Sequence, residues 1–298
     1  MHQELIIALL AGLGGMLGWG LADFFAKKTI DEVGDIQSLA WAHVFGTGFF
    51  FIIAVYKFLV LGRPIVFLNP GSSLLYLIFF GVLQAIIYIL VYRGFGKGQV
   101  SILNPVFASF SGIAALISIV GFGEVVSSNL VIALVIIFGG VLLINTDFSK
   151  LHLGKFNFVQ VPGFKEIAAA TALAAVWTVG WDKVVGGTDW VIYSFLMYAF
   201  MTVAILLFAK VKKVDLCVIK KPIWKFLLLI GFCETVAYLA ISLGYSATTK
   251  TSVIALLSGA FSLPTIFLAR SFLKERVTVT QTIGGFVIVI GIILLSVL

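Results

Sequence analysis

Glu234 stands near the centre of an apolar run, residues 222–244, within LLLIGFCETVAYLAISLG. An ionised carboxylate at that depth in hydrocarbon costs several kcal/mol unless it is paired, hydrated or protonated. No Lys or Arg lies at the middle of any apolar run in the chain. Glu234 must therefore be held protonated, face a watery cavity, or meet a cation that arrives from outside; a protonated acid hydrogen-bonded to a neighbouring helix is the structural alternative. Tyr238 follows one helical turn later on the same face. At an offset of 150 residues, Gln84 and Tyr88 repeat that spacing. His43, in LAWAHVFG, is a second titratable group inside an apolar run, open to a proton-sensitive or a packing role. Trp19, Trp41 and Trp177 offer aromatic walls suited to apolar or cationic ligands, with interfacial anchoring the other reading of Trp19. Asp23 shares a helix face with Trp19. Lying near the end of its run, it is, like Asp182, a weaker candidate than a midspan acid, with a coupling role beside Glu234 as its possible use. No Walker loop, HExxH or GxSxG is present, and three His with Cys217 and Cys233 suggest neither a metal cluster nor a disulfide framework. No cofactor, metal or catalytic residue is expected.

The elements that must position these groups follow from composition. Of 298 residues, 61% are hydrophobic and 11% charged, too apolar for a water-facing surface. A bilayer-crossing helix needs roughly 20 apolar residues. Ten such runs occur, near 5–26, 36–60, 72–93, 100–121, 128–146, 165–185, 189–209, 222–244, 251–271 and 278–298. They are continuous rather than alternating, which speaks for helices and against a β-barrel. The first run lacks a basic leader and reads as a span, not a cleaved signal. The formal charge of +7 does not point to nucleic acid, because the cations cluster at run ends. Sixteen of the twenty Lys and Arg fall in the connections after spans 1, 3, 5, 7 and 9, leaving Lys57, Arg63, Lys183 and Lys250 opposite. The positive-inside rule then places the basic side in the cytoplasm and both termini outside a cell membrane.

The chain is also written twice. The segment Gly81 to Glu124 recurs as Gly231 to Glu275, aligning Gly81 with Gly231, Gln84 with Glu234, Tyr88 with Tyr238 and Gly94 with Gly244; one inserted residue later, Gly140 aligns with Gly291. Self-similarity at half the chain length inside apolar segments marks a duplicated membrane fold. Five spans per half is an odd number, so the halves, 1–148 and 165–298 with a linker at 149–164, enter the membrane in opposite senses. The Glu234–Tyr238 and Gln84–Tyr88 pairs should then meet near the midplane. Pro105 and Pro264 should kink or begin spans 4 and 9.

Ten spans in two halves, each ending in an acid followed by a glycine-rich helix, resemble the EamA-type transporters of the drug/metabolite transporter (DMT) superfamily. The residues that carry the likeness are GFGEVVSSNLVIALVIIFGGVLLI from Gly121, FLKERVTVTQTIGGFVIVIGIILL from Phe272, and the opening GMLGWGLADFF. The resemblance implies an all-α membrane protein of ten transmembrane helices, arranged as two inverted repeats. Spans 1 to 4 and 6 to 9 would enclose a central cavity, with spans 5 and 10 peripheral and Glu124 and Glu275 as helix-start acids. It implies a secondary transporter, an exporter of a small metabolite such as an amino acid or cationic compound, with sugar phosphates or nucleotide sugars as alternatives. A membrane-embedded enzyme and a non-transporting scaffold are the readings from other classes. The expected partners are a small-molecule substrate and the bilayer, not nucleic acid, with the protein a monomer or homodimer.

Overall fold

The computed structural model describes residues 2–62, 70–97, 100–146, 161–217, 219, 221–274 and 277–298; Glu275 and most of the expected linker lie outside the described residues. The chain is all helical, with no strand among the described residues. In order the helices are α1 (His2–Val33), α2 (Asp35–Val55), α3 (Pro70–Lys97), α4 (Val100–Ala108), α5 (Phe110–Leu116), α6 (Ser128–Asn145), α7 (Phe164–Val185), α8 (Trp190–Val211), α9 (Lys221–Ala247), α10 (Thr251–Gly259), α11 (Ser262–Leu273) and α12 (Val279–Ser296). Short π-helical turns extend α2 through Tyr56–Val60 and α5 through Ile117–Gly121.

Nine segments among the described residues are long and apolar enough to cross a bilayer. The helix outside that set is α7, whose polar and aromatic residues Thr171, Trp177, Thr178, Trp181 and Asp182 are all buried within the protein. With those residues turned inward, only a narrow stripe that includes Ala169, Ala172 and Val176 faces outward, so α7 carries less apolar surface than the other spans. Another departure from expectation lies at α1, which runs past residue 26 to Val33 because no breaker intervenes before Gly34. Gly34 turns the chain at φ 84°, a left-handed value that glycine adopts without strain. Asp23 thus sits within a continuing helix rather than near its end.

The duplication seen in the sequence is a duplication of contacts. The main packing partners pair α1 with α9 and α3 with α7, α2 with α9 and α3 with α8, and then α2 with α8, α5 with α10 and α6 with α12 across the halves. The aligned glycines make equivalent close approaches. A Cβ added to Gly81 would fall 2.6 Å from the Met197 carbonyl oxygen on α8, and one added to Gly231 would fall 2.6 Å from that of Ala42 on α2. Gly94 approaches Ile167 on α7 as Gly244 approaches Ala11 on α1; Gly140 meets Ile288 on α12 as Gly291 meets Ile137 on α6. In lipid, where no hydrophobic force drives helices together, such close approach is how they associate.

The fourth span breaks at Ser109, between α4 and α5, and its counterpart breaks at Ala260 and Phe261, between α10 and α11. These breaks match in the repeat alignment, but the prolines do not. Pro264 follows its break, where it can neither donate to nor pack under the Ala260 carbonyl, whereas Pro105 lies inside α4, before its break. At Ser109 the side chain instead turns back to donate to the Val106 carbonyl at 2.6 Å.

Candidate functional site

A cavity of about 940 Å³ runs into the bundle between α1, α3, α4, α6, α7, α9, α11 and α12. Its mouth lies at the end of the bundle carrying the α1–α2 turn and the start of α12, where Asp31, Asp35, Thr278 and Gln281 line it. Its blind end lies near the middle of α9, at Glu234, with Trp19, Gln84, Tyr88, Trp177 and Thr178 around it. Phe107, Phe110, Phe261 and Ser262, which flank the two helix breaks, also line the wall. Four of the lining residues are acids, Asp23, Asp31, Asp35 and Glu234; none among the described residues is Lys, Arg or His. Several such carboxylates around one low-dielectric space focus a negative potential inside it.

At the blind end the side chains are organised around Tyr238, which is fully buried. Gln84 Nε2 donates to the Tyr238 hydroxyl at 3.0 Å. Trp19, Trp177 and Tyr198 stand edge-on to its ring, with centroids at 5.5, 5.9 and 5.4 Å. The Glu234 carboxylate accepts a hydrogen bond from the Tyr198 hydroxyl of α8. His43 Nε2 of α2 stands 3.6 Å from the same Oε2. The α2–α8 contact beneath is built from residues one turn apart on each helix: His43 stacks on Tyr198, centroids 5.2 Å apart, and Thr47 bonds Thr202 at 2.8 Å. Trp19 Nε1 and Gln84 Oε1 are buried without a hydrogen-bond partner among the described residues.

The structure brings together Glu234, Tyr238, Gln84 and Tyr88, the two pairs expected to meet. Among the residues singled out from the sequence, Glu234, Gln84, Tyr88, Trp19, Trp177 and Asp23 line the cavity, while Tyr238 and His43 stand behind its wall. Trp41 is elsewhere: it packs edge-on against Trp224, centroids 4.8 Å apart, and donates from Nε1 to the Leu216 carbonyl. Its ring is thus a packing element between α2 and α9, not a cavity wall. Pro105 and Pro264 do not line the cavity, although residues around both breaks do.

Two implications of the family resemblance need correction. The ends of α6 and α12 reach the cavity through Ile144, Asn145, Thr278 and Gln281, so these spans are not wholly peripheral. Conversely, α8 contributes no lining residue and α2 only Asp35, because both pack behind the blind end. Glu124 does not start a helix either. The following helix is capped by Ser127, whose hydroxyl accepts from the Leu130 amide at 3.2 Å. Glu124 reaches across to α10, where Oε2 and Oε1 accept from the Ser252 amide and hydroxyl at 2.9 and 2.6 Å.

That contact belongs to a seal closing the far end of the bundle. Every residue of α10 is buried. Lys250 reaches the Val125 carbonyl, Lys183 pairs with Asp182 at 3.0 Å, and Trp181 Nε1 donates to Ser242 at 3.0 Å. Sequence reasoning missed Tyr198, the acids at the mouth, and a polar triad on the cavity wall. In this triad Asn145 Oδ1 accepts from Asn104 at 2.5 Å and from Ser262 at 2.7 Å. A phenol inside an apolar run, as at Tyr198, is the available signal, since its hydroxyl must find a partner when buried.

The sequence model of the EamA-like transporter family matches residues 6–146 and 164–297, one segment on each half of the chain. No curated protein matches the chain in sequence. Among solved structures, a crystal structure of a protein aligns with a TM-score of 0.75 at 14% identity, over 97% of this chain and 96% of that chain. At that identity the likeness is one of fold.

Proposed function

The chain belongs to the EamA-like transporter family, and we propose that it is a secondary transporter of small organic cations, working by alternating access between two inverted five-span halves. A membrane transporter of the DMT superfamily is the family's general character. The cation reading rests on one observation: the cavity wall carries Asp23, Asp31, Asp35 and Glu234 and, among the described residues, no cationic side chain. Sugar phosphates and nucleotide sugars would meet only like charge there. The aromatic side chains of Trp19, Trp177 and Tyr88 in the cavity wall suit an ammonium group. A cavity of about 940 Å³ also speaks against a scaffold, which would pack its centre solid.

In this reading α7 is the tenth span, the basic connections face the cytoplasm, both termini lie outside a cell membrane, and the cavity opens inward with the Glu124–Ser252 seal closing the outer side. Export is then the natural direction, since the inner cavity receives the cargo first. A zwitterionic amino acid is the second reading, favoured by Trp19 Nε1, a donor in a cavity-lining residue without a partner among the described residues. Glu234 would hold the amino group and the indole N–H the carboxylate.

The test is uptake of four labelled probes, tetramethylammonium, lysine, alanine and glucose 6-phosphate, into proteoliposomes. We expect transport of a cationic or zwitterionic probe and its loss by more than about tenfold in Glu234→Gln. Transport of the phosphate, or a cation flux indifferent to the substitution, would overturn the reading.

A further inference from the structure

The His43–Glu234 pair has a hydrogen count that the cavity alone does not explain. His43 is fully buried, and its Nδ1 lies 2.8 Å from the Leu39 carbonyl oxygen. A carbonyl can only accept, so Nδ1 carries a hydrogen. The other nitrogen, Nε2, has no hydrogen-bond partner among the described residues and stands 3.6 Å from Glu234 Oε2. It is therefore either a bare lone pair turned toward a carboxyl group or, once protonated, an N–H turned toward a carboxylate. Among the described residues, the titratable groups near enough to sense the charge of Glu234 are Asp23 from α1, His43 from α2, Tyr88 and Tyr92 from α3, Tyr198 from α8, and Cys233 and Tyr238 on α9 itself, and none is Lys or Arg.

Charge balance fixes how many protons such a pair prefers. With no proton beyond Nδ1–H it is a net anion, and with two it is a net cation; either is costly in this surrounding. With one it is neutral, whether written as Glu–COOH beside imidazole or as carboxylate beside imidazolium, and that proton belongs to the pair. Glu234 lines the cavity and His43 does not, so the proton reaches water through Glu234. The same neutrality is reached with no shared proton and one monovalent cation held against Glu234.

We propose that His43 and Glu234 form a two-residue proton site at the blind end of the cavity, and that one proton and one monovalent cation are alternative occupants of it. The exchange balances: neutral Glu234–COOH beside His43 takes a cation, keeps neutral His43, and releases one proton to the cavity water. His43 acts as a positioning residue, through Glu234, and does not touch the cargo. The use of the site as a coupling device rests on the cation-transporter reading; the shared proton does not.

The experiment needs no substrate, so its failure and that of the transport reading are separable. Protein labelled with ¹⁵N-histidine and titrated from about pH 5 to pH 9 reports the His43 ring nitrogens, assigned by His43→Asn, while infrared difference spectra report the Glu234 carboxyl stretch, assigned by Glu234→Gln. In the wild-type protein we expect both signals to change at one common midpoint. We further expect that midpoint to move by about one pH unit or more for the remaining partner in each variant, the size of effect a neighbouring charge produces. His43→Gln serves as a second variant should His43→Asn not fold. Separate midpoints for the two groups in the wild-type protein, or no movement of either when its partner is replaced, would overturn the proposal. A histidine that only packs would leave the carboxyl signal where it was.

Discussion

Glu124, at the end of the first half's fourth span, holds both the amide and the hydroxyl of Ser252, at the start of α10 in the second half. A carboxylate at a helix N-terminus meets unpaired amides and the positive end of the helix dipole. Hydrogen bonds to a charged group contribute about 1.5–3 kcal/mol. Glu124→Gln keeps an acceptor but loses the charge, so the sealed end should open more often. A cysteine at Ser242, beside Trp181, reads this out in protein whose Cys217 and Cys233 are alanine. Its labelling by a bulky maleimide should quicken by about tenfold, the equivalent of about 1.4 kcal/mol. An unchanged rate would remove Glu124 from the seal.

Asp31 and Asp35 flank the α1–α2 turn at the cavity mouth, and Asp35 is exposed. Charges in such positions attract an approaching cation through solvent and are screened over a Debye length of about 8 Å at physiological ionic strength. Replacing both by Asn should raise the KM for a cationic probe severalfold in low salt, leave the maximal rate unchanged, and have little effect in about 1 M salt, where the Debye length is about 3 Å. Glu234→Gln should behave otherwise, losing rate at every salt concentration. Equal salt dependence in the two variants would show that the mouth acids do not steer the cargo.

Long apolar runs announced the helices, and the paired glycines announced the duplication, because both are local signals in a medium that rewards them. Glu234 was legible for the same reason, as an acid without a local excuse. Tyr238, Gln84 and Tyr88 were legible through the repeat and His43 as a titratable group inside an apolar run. Tyr198 was not: it approaches Glu234 from α8, and the helix crossing that sets it beside His43 cannot be seen from spacing along either helix. Asp31 and Asp35 lie beyond residue 26, where the first apolar run ends in the sequence. Only the continuation of α1 to Gly34 carries them to the mouth. Trp41 was indistinguishable from Trp19 by composition, and only its packing against Trp224 separates them.

Adjacent glycines on α6 should respond oppositely to the same change. A Cβ on Gly140 would fall 2.8 Å from the Ile288 amide nitrogen and 2.9 Å from the Gly284 carbonyl oxygen, whereas one on Gly139 meets nothing within 4 Å. The atoms it would strike on α12 include backbone, which cannot rotate away. Gly140→Ala should therefore push α6 and α12 apart at a cost of about 1–3 kcal/mol, the usual range for overpacking. Gly139→Ala should be neutral or slightly stabilising, since alanine is the better helix former. Thermal unfolding in detergent distinguishes them; equal melting temperatures would mean that α6 and α12 do not rely on close approach at Gly140.

Asn145 joins three segments through one side chain, accepting from Asn104 on α4 and Ser262 on α11 while donating to the Val141 carbonyl of its own helix at 2.7 Å. Its removal strands two donors that differ in their surroundings. Ser262 is buried, whereas Asn104 is only partly so. Asn145→Ala should cost about 1–3 kcal/mol, the desolvation penalty of a buried polar group left without a partner. Much of that loss should come from Ser262. The double variant Asn145→Ala/Ser262→Ala should then be less destabilised than the sum of the single variants, by about 0.5 kcal/mol or more, as for residues sharing one network. Strict additivity in chemical or thermal unfolding would mean that the two bonds to Asn145 Oδ1 act independently, and that α6 and α11 are not held together through this side chain.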